Sequence, residues 1–227
     1  MLWFLLGAIA GSVANAVIYR LPLGLSWKEG RSICPRCKHS LGWFDLLPLM
    51  SFLWLRGKCR YCHRAIGISY LLVELVLAIG FAYLHSPLLA AILFITVIIA
   101  AIDWETMLVS DWIVAAWLVL VLLMGQFNWV GLAVGVGVIG GIWAISKGKA
   151  MGFGDVEIVA VLGLWLGWPK ILSALWFAFV LGAIVGVFKL LRRQAKLRSQ
   201  LPFGPFLILG GWVGYMWGER IIRLVFR

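Results

Sequence analysis

The stretch LLAAILFITVIIAAID, from Leu88 to Asp103, decides how this chain is read: an almost unbroken apolar run that ends in a carboxylate. A helix satisfies its own backbone polar groups and here presents apolar side chains on every side, which suits a membrane span. Residues 103–111 can extend this helix or the next one toward the ~20 residues a full span needs. A carboxylate beside lipid is costly and is kept where function requires it. Asp103 is singled out from the start.

Working outward, similar runs recur at 1–19, 66–84, 112–125, 129–146, 156–169, 171–190 and 205–222. With 88–102 they make about eight transmembrane helices, several of them short for a span. The expected fold is an all-α polytopic membrane protein. Composition agrees: 63% of the 227 residues are hydrophobic and 13% charged, and mean hydropathy is +1.02. A soluble domain is nearer half apolar and a quarter charged, and disordered and fibrous classes are excluded. The 14 Trp and 26 Gly suit membrane interfaces and close helix contacts. Glycine stripes at Gly131, Gly135, Gly137, Gly140 and Gly141, and at Gly182 and Gly186, read as packing faces. Residues 1–19 lack a basic start and run into an Arg-rich loop, so they read as a span rather than a cleaved signal.

The net charge of +11 follows from topology, since the basic residues flank apolar spans; no nucleic-acid partner is expected. Taking residues 20–65 as cytosolic makes 103–111, 147–155 and 189–204 cytosolic too. These four segments hold nine, none, two and five of the 20 Lys and Arg, leaving only Lys170, Arg220, Arg223 and Arg227 outside. That bias fixes the orientation, with both termini away from the cytosol. Asp103 and Asp155 then fall on one face of the membrane.

Between the first two spans, Cys34-Pro35-Arg36-Cys37 and Cys59-Arg60-Tyr61-Cys62 carry the chain's four cysteines. Paired CxxC knuckles at this spacing suit a tetrahedral zinc site of four thiolates. Two disulfides or idle thiols are the bland alternatives, and a reducing cytosol disfavours the first. Arg36, Lys38, Lys58 and Arg60 are expected to lower the thiol pKa values. Four thiolates leave no open coordination position, so the metal's expected role is to fold a small cytosolic module, residues 20–65. His39 and His63 are expected bystanders, and no HExxH metalloprotease pattern is present.

Of nine acidic residues, five lie in 103–111 and 155–157. Asp155 ends Met151-Gly152-Phe153-Gly154-Asp155, where glycines permit unusual backbone and close approach. Alone, this tetrad is a helix-start loop with Asp155 as N-cap, and Asp103 alone a helix-end charge. Brought together, two carboxylates share a proton, activate water and split an amide without a covalent intermediate. Asp111 reads as the N-cap of the helix from Trp112, and Glu105 and Glu157 as flanking charges able to attract a basic substrate. Glu74 and Asn15 sit inside spans and are possible partners, in a functional or a purely structural interhelical hydrogen bond. An ion or proton transporter is the alternative reading, but it wants carboxylates near mid-membrane. A scaffold whose zinc loop binds partners leaves the aspartate pair unexplained.

An ordered set of residues resembles the prepilin peptidase, or type IV leader peptidase, family. The set runs through Gly11-Ser12, Asn15, Ile18-Tyr19-Arg20-Leu21-Pro22 and Arg31-Ser32-Ile33-Cys34-Pro35-Arg36-Cys37. Leu41-Gly42-Trp43, Pro48-Leu49 and Leu55-Arg56-Gly57-Lys58-Cys59-Arg60-Tyr61-Cys62 follow. Val73-Glu74-Leu75, Ile102-Asp103, Gly152-Phe153-Gly154-Asp155, Leu166-Gly167-Trp168 and Leu201-Pro202-Phe203-Gly204-Pro205-Phe206 complete it. The resemblance implies a multi-pass inner-membrane enzyme facing the cytosol, with catalytic Asp103 and Asp155 and the tetracysteine loop of Cys34, Cys37, Cys59 and Cys62. It implies cleavage of type IV prepilins and pilin-like proteins after a Gly ending a basic leader. N-methylation of the new N-terminal residue by S-adenosylmethionine is implied with it; no glycine-rich nucleotide signature in the chain suggests that cofactor on its own. The chain departs from the family pattern at Glu157, where Lys is usual, and at Val109-Ser110-Asp111, where Leu-Pro-Asp is usual. The domains expected are a first span (1–19), the zinc module (20–65) and a helical peptidase core (66–227).

Overall fold

The structure, a computed structural model, describes residues 1–26, 32–125, 127–192 and 201–225. Lys28, Arg31, Arg193, Lys196, Arg198 and Arg227, counted above toward orientation, lie outside them, as does Glu29. Nine helices are described: α1 (Leu2–Arg20), α2 (Met50–Trp54), α3 (Ile68–Leu84), α4 (Pro87–Thr106), α5 (Asp111–Leu123), α6 (Trp129–Ser146), α7 (Phe153–Leu166), α8 (Lys170–Leu191) and α9 (Gly204–Val225). All but the short α2 coincide with the apolar runs. Four segments, Leu2–Leu23, α4, α6 and α8, are long and apolar enough to cross a membrane, and α3 and α5 are shorter apolar helices. The chain is an all-α polytopic membrane protein. Among the described residues the only β pairing is two isolated bridges in the cysteine loop.

The run 103–111 divides unevenly. α4 continues a full turn past Asp103 and ends where the Thr106 hydroxyl donates to the Ile102 carbonyl at 2.8 Å and accepts from Leu108 N–H at 3.2 Å. At the start of α5, Ser110 holds the N-cap position and Asp111 lies in the first turn, so the N-cap expected of Asp111 is corrected by one residue. A carboxylate there still meets the positive end of the helix dipole.

The chain forms two compact units, Met1–Ile98 and Ile99–Arg227, with the boundary inside α4. In the first, α1 lies on α3. A methyl group at Gly7 would strike the Leu77 carbonyl, and one at Gly11 would come 2.5 Å from Glu74 Cα. Glycine here lets two helix backbones touch, which substitutes van der Waals contact for a hydrophobic drive that lipid does not supply.

In the second unit α7 is the core helix, with every residue from Val161 to Leu166 buried. α6 meets it where Gly131 abuts Gly163 and Gly167, and Gly135 abuts Val159. α9 meets α8 through Gly210 against Ala174, and α7 through Gly211 against Leu162. Trp165 of α7 stacks on Tyr215 at 4.9 Å and meets Trp212 edge-on at 5.1 Å, fixing the helix within the bundle. The expected stripe on α6 is only partly a packing face: a methyl group at Gly137 or Gly141 would meet nothing from another described element within 4 Å. Gly182 and Gly186 do pack, against Phe203, Phe206 and Leu201.

Candidate active site and metal centre

Asp155 stands at the third position of α7, not at its N-cap, which Gly152 occupies in extended backbone (φ −75°, ψ 157°). Its Oδ2 reaches back to accept Gly152 N–H at 3.1 Å, the carboxylate arm of a capping box. The second glycine of the tetrad serves contact: a methyl at Gly154 would lie 2.7 Å from Val109 Cβ and Cγ2. Gly154 thereby admits the α4–α5 loop against the start of α7.

Asp103 is 5% exposed and Asp155 8%. Asp103 Oδ2 accepts Gly204 N–H, the first residue of α9, at 3.0 Å. A methyl at Gly204 would stand 2.6 Å from that oxygen and 3.1 Å from Ile158 Cδ1. The loop 201–204 is held there by Phe203, which lies 5.2 Å from the Phe179 ring. Beside the dyad, Trp104 meets Phe206 edge-on at 6.2 Å and carries Lys189 Nζ 4.9 Å over its ring. The charge of Asp103 is felt at Asp155, so the two expected carboxylates are brought into electrostatic reach within one unit. Glu105 is exposed, and Glu157 lies within range of the Asp111 charge.

In the first unit, Glu74 Oε2 accepts Leu49 N–H at 2.7 Å, and the Asn15 side chain also bonds the Glu74 carboxylate. Asn15 Nδ2 further donates to the Tyr70 carbonyl at 2.9 Å. The interhelical pairing expected of Asn15 and Glu74 is present.

The four cysteines form two knuckles with the same backbone hydrogen bonds. Cys34 N–H bonds the His39 carbonyl and Cys59 N–H the Arg64 carbonyl, each at 2.9 Å. Lys38 N–H returns to Cys34 O, and His63 N–H to Cys59 O, again at 2.9 Å. The bridges Ile33–Ser40 and Lys58–Ala65 close the two loops. All four Sγ atoms lie within 4.8 Å of one another, with Cys34 and Cys62 at 4.0 Å. Zinc–sulfur bonds of ~2.3 Å in a tetrahedron separate sulfurs by about 3.8 Å, so donor set and spacing fit a metal ion. None of the cysteines is in a disulfide, and His39 and His63 lie outside the cluster. Burial pushes the Cys34 thiol up, but amides of Cys37 and Arg36 and the Cys37 and Cys59 thiols pull it down further, to about 7. Backbone amides and neighbouring thiols lower it, rather than the flanking cations expected.

Two contributors escaped the sequence reading. In the sequence Gly204 stands out only as part of a resembling motif. Asp45 lies in no such motif, yet it accepts from Gly42 N–H at 3.1 Å and Tyr61 O–H at 3.2 Å and pairs with Arg60 Nε at 2.9 Å. It ties the 42–46 turn to the second knuckle. Its only sequence signal was an acid set in a loop of basic residues.

Residues 5–88 match the bacterial peptidase A24 N-terminal domain, and residues 88–187 match the type IV leader peptidase family. A prepilin leader peptidase/N-methyltransferase of Aeromonas hydrophila is 34% identical over 265 residues, 97% of this chain and 91% of that protein. The chain belongs to the type IV leader peptidase family. Proteins of the same description from Pseudomonas aeruginosa and Burkholderia pseudomallei are each 33% identical, covering 96% and 97% of this chain and 90% and 86% of their own lengths. No solved structure matches. Membership makes the chain a peptidase of the inner membrane, and the transporter alternative finds no support.

Proposed function

We propose that Asp103 and Asp155 are the catalytic pair with which this peptidase removes the basic leader from type IV prepilins and pilin-like proteins at the cytosolic membrane face. The observation that carries this reading is the convergence of two buried carboxylates in one unit, each anchored through Oδ2 by a backbone N–H. Two carboxyl groups so placed hold one proton between them. With Oδ2 engaged, Oδ1 is the atom assigned to the reaction. The ionised member takes a proton from water while the protonated member donates to the scissile carbonyl. The water oxygen bonds the carbonyl carbon, the carbonyl pair moves to oxygen, and collapse expels the amine, which leaves with a proton.

A pilin's apolar helix suits a site among membrane spans, and its basic leader suits the side bearing Glu105, Asp111 and Glu157. Cys34, Cys37, Cys59 and Cys62 would hold Zn2+; with four thiolates it supplies order rather than catalysis. Residues 20–65 then act as a metal-folded module, 1–19 as an anchor and 66–227 as the peptidase core. The chain also N-methylates the freed amine. S-adenosylmethionine, when bound, would supply the methyl group that this amine's lone pair accepts, the resulting ammonium losing a proton to water.

Mass spectrometry of a co-expressed, leader-bearing pilin reads the cut position and the added methyl group together. Asp103→Asn and Asp155→Asn are expected to leave the leader attached. Full cleavage by either variant overturns the mechanism.

A further inference from the structure

A cavity of about 800 Å³ opens within the first unit, between the last turns of α1, the first turns of α3 and the two knuckles. Its size lies in the ~300–1,000 Å³ range of small-molecule sites. The peptidase chemistry makes no use of it. Two carboxylates line it, and they differ. Asp45 is ion-paired with Arg60 and accepts from Gly42 and Tyr61. Glu74 is partly buried, and the donors that reach it among the described residues, Leu49 N–H and Asn15, are neutral. A partly desolvated carboxylate answered by neutral donors alone attracts a cation. Arg36 and Arg64 line the same cavity and form no ion pair among the described residues. Phe52 and Tyr70 add aromatic wall. The cavity therefore asks for a small zwitterion with a flat ring: a cationic centre for Glu74, a carboxylate for the arginines, a base for the aromatic side.

We infer that this cavity is the S-adenosylmethionine site, with Glu74 against the ligand's cationic end and Arg36 and Arg64 toward its carboxylate. The inference rests on the methyl-transfer reading above and goes further by assigning its residues. Cys34 and Cys59 also line the cavity, so the metal-folded knuckles form one of its walls and metal removal should abolish binding.

The test uses the full-length, metal-loaded protein in phosphatidylcholine nanodiscs. Titration calorimetry measures S-adenosylmethionine binding, and ultraviolet cross-linking of the methyl-labelled ligand, followed by peptide mapping, locates it. Label is expected between Ser12 and Glu74. Glu74→Gln should weaken binding roughly tenfold or more, the worth of a charged hydrogen bond, with an unchanged ligand-free melting temperature. Should that variant fold poorly, Arg64→Glu at the exposed rim should also weaken binding. Label within Ile99–Val225, wild-type affinity in both variants, or displacement of the ligand by phosphatidylethanolamine would overturn the assignment. Absence of any binding to the wild-type protein would overturn it together with the methyl-transfer reading itself.

Discussion

The Gly204 amide donates to Asp103 Oδ2 at 3.0 Å across 101 positions of sequence. The bond joins the first residue of α9 to a carboxylate one turn from the end of α4. It needs a residue with no side chain, because a methyl group would occupy the space of the carboxylate. One glycine thus supplies both the donor and the room that hold half of the dyad.

Gly204→Ala is accordingly expected to cripple cleavage without unfolding the protein. The carboxylate must swing away, or α9 must start elsewhere, by a fraction of an ångström to an ångström. A misplacement of that size costs about a hundredfold in rate. Steady-state cleavage of a leader peptide should show the loss in kcat, with KM little changed. An unimpaired kcat would mean that the Gly204 contact does not position Asp103.

Gly154 offers a two-sided test. Gly154→Ala drives a methyl to 2.7 Å from Val109 Cβ, and overpacking of this kind costs about 1–3 kcal/mol. Activity should fall, and Val109→Ala in the same chain should restore most of it. A double-mutant cycle in thermal stability should show the matching coupling. Additive losses would place the effect of Gly154→Ala elsewhere.

The helices were legible because each is written in a contiguous apolar run, and helical order needs no distant partner. The ends were less so. Whether 103–106 belonged to α4 or α5 turned on the Thr106 hydroxyl, one side chain in a polar stretch. Asp103 and Asp155 were legible as charges that apolar flanks do not explain. Gly204 was not, because its role exists only once α9 meets α4, and nothing in Pro202-Phe203-Gly204-Pro205 points 101 residues back. Gly137 and Gly141 misled in the opposite sense, since a glycine stripe allows close contact without naming the helix that makes it. The knuckle repeat was open to view: each cysteine pair recurs 25 positions on.

That repeat sets an expectation for the metal module. Because the knuckles share their hydrogen bonds, Cys34→Ser and Cys59→Ser should fail alike. Each leaves three thiolates and should cut metal content, read by native mass spectrometry, well below one ion per chain. Lys38 and His63 both sit at positive φ, 60° and 56°, a conformation that costs a side-chain-bearing residue ~1 kcal/mol or more. Lys38→Gly and His63→Gly should thus preserve the site and slow metal loss to a chelator. Faster loss in either variant would show that these side chains, rather than the turn, stabilise their knuckle.

The thiols also set a pH dependence whose sign can be worked out. The His39 amide pulls the Cys37 thiol down, but burial and the neighbouring Cys34 and Cys62 thiols push it up further, to about 11. Metal-free Cys37 is thus protonated at any physiological pH and must release that proton to bind. Affinity should therefore fall by about tenfold or more for each unit of acidification, one proton of it from Cys37. Cys34 stands at about 7, so it is a thiolate above that pH and adds a second proton to the exchange below it. Competition titrations against a chelator whose own protonation is known should show the slope steepen as pH drops through 7. A flat profile between pH 8 and 6 would mean that the thiols are not the ligands, and the knuckles would need another reason to face one another.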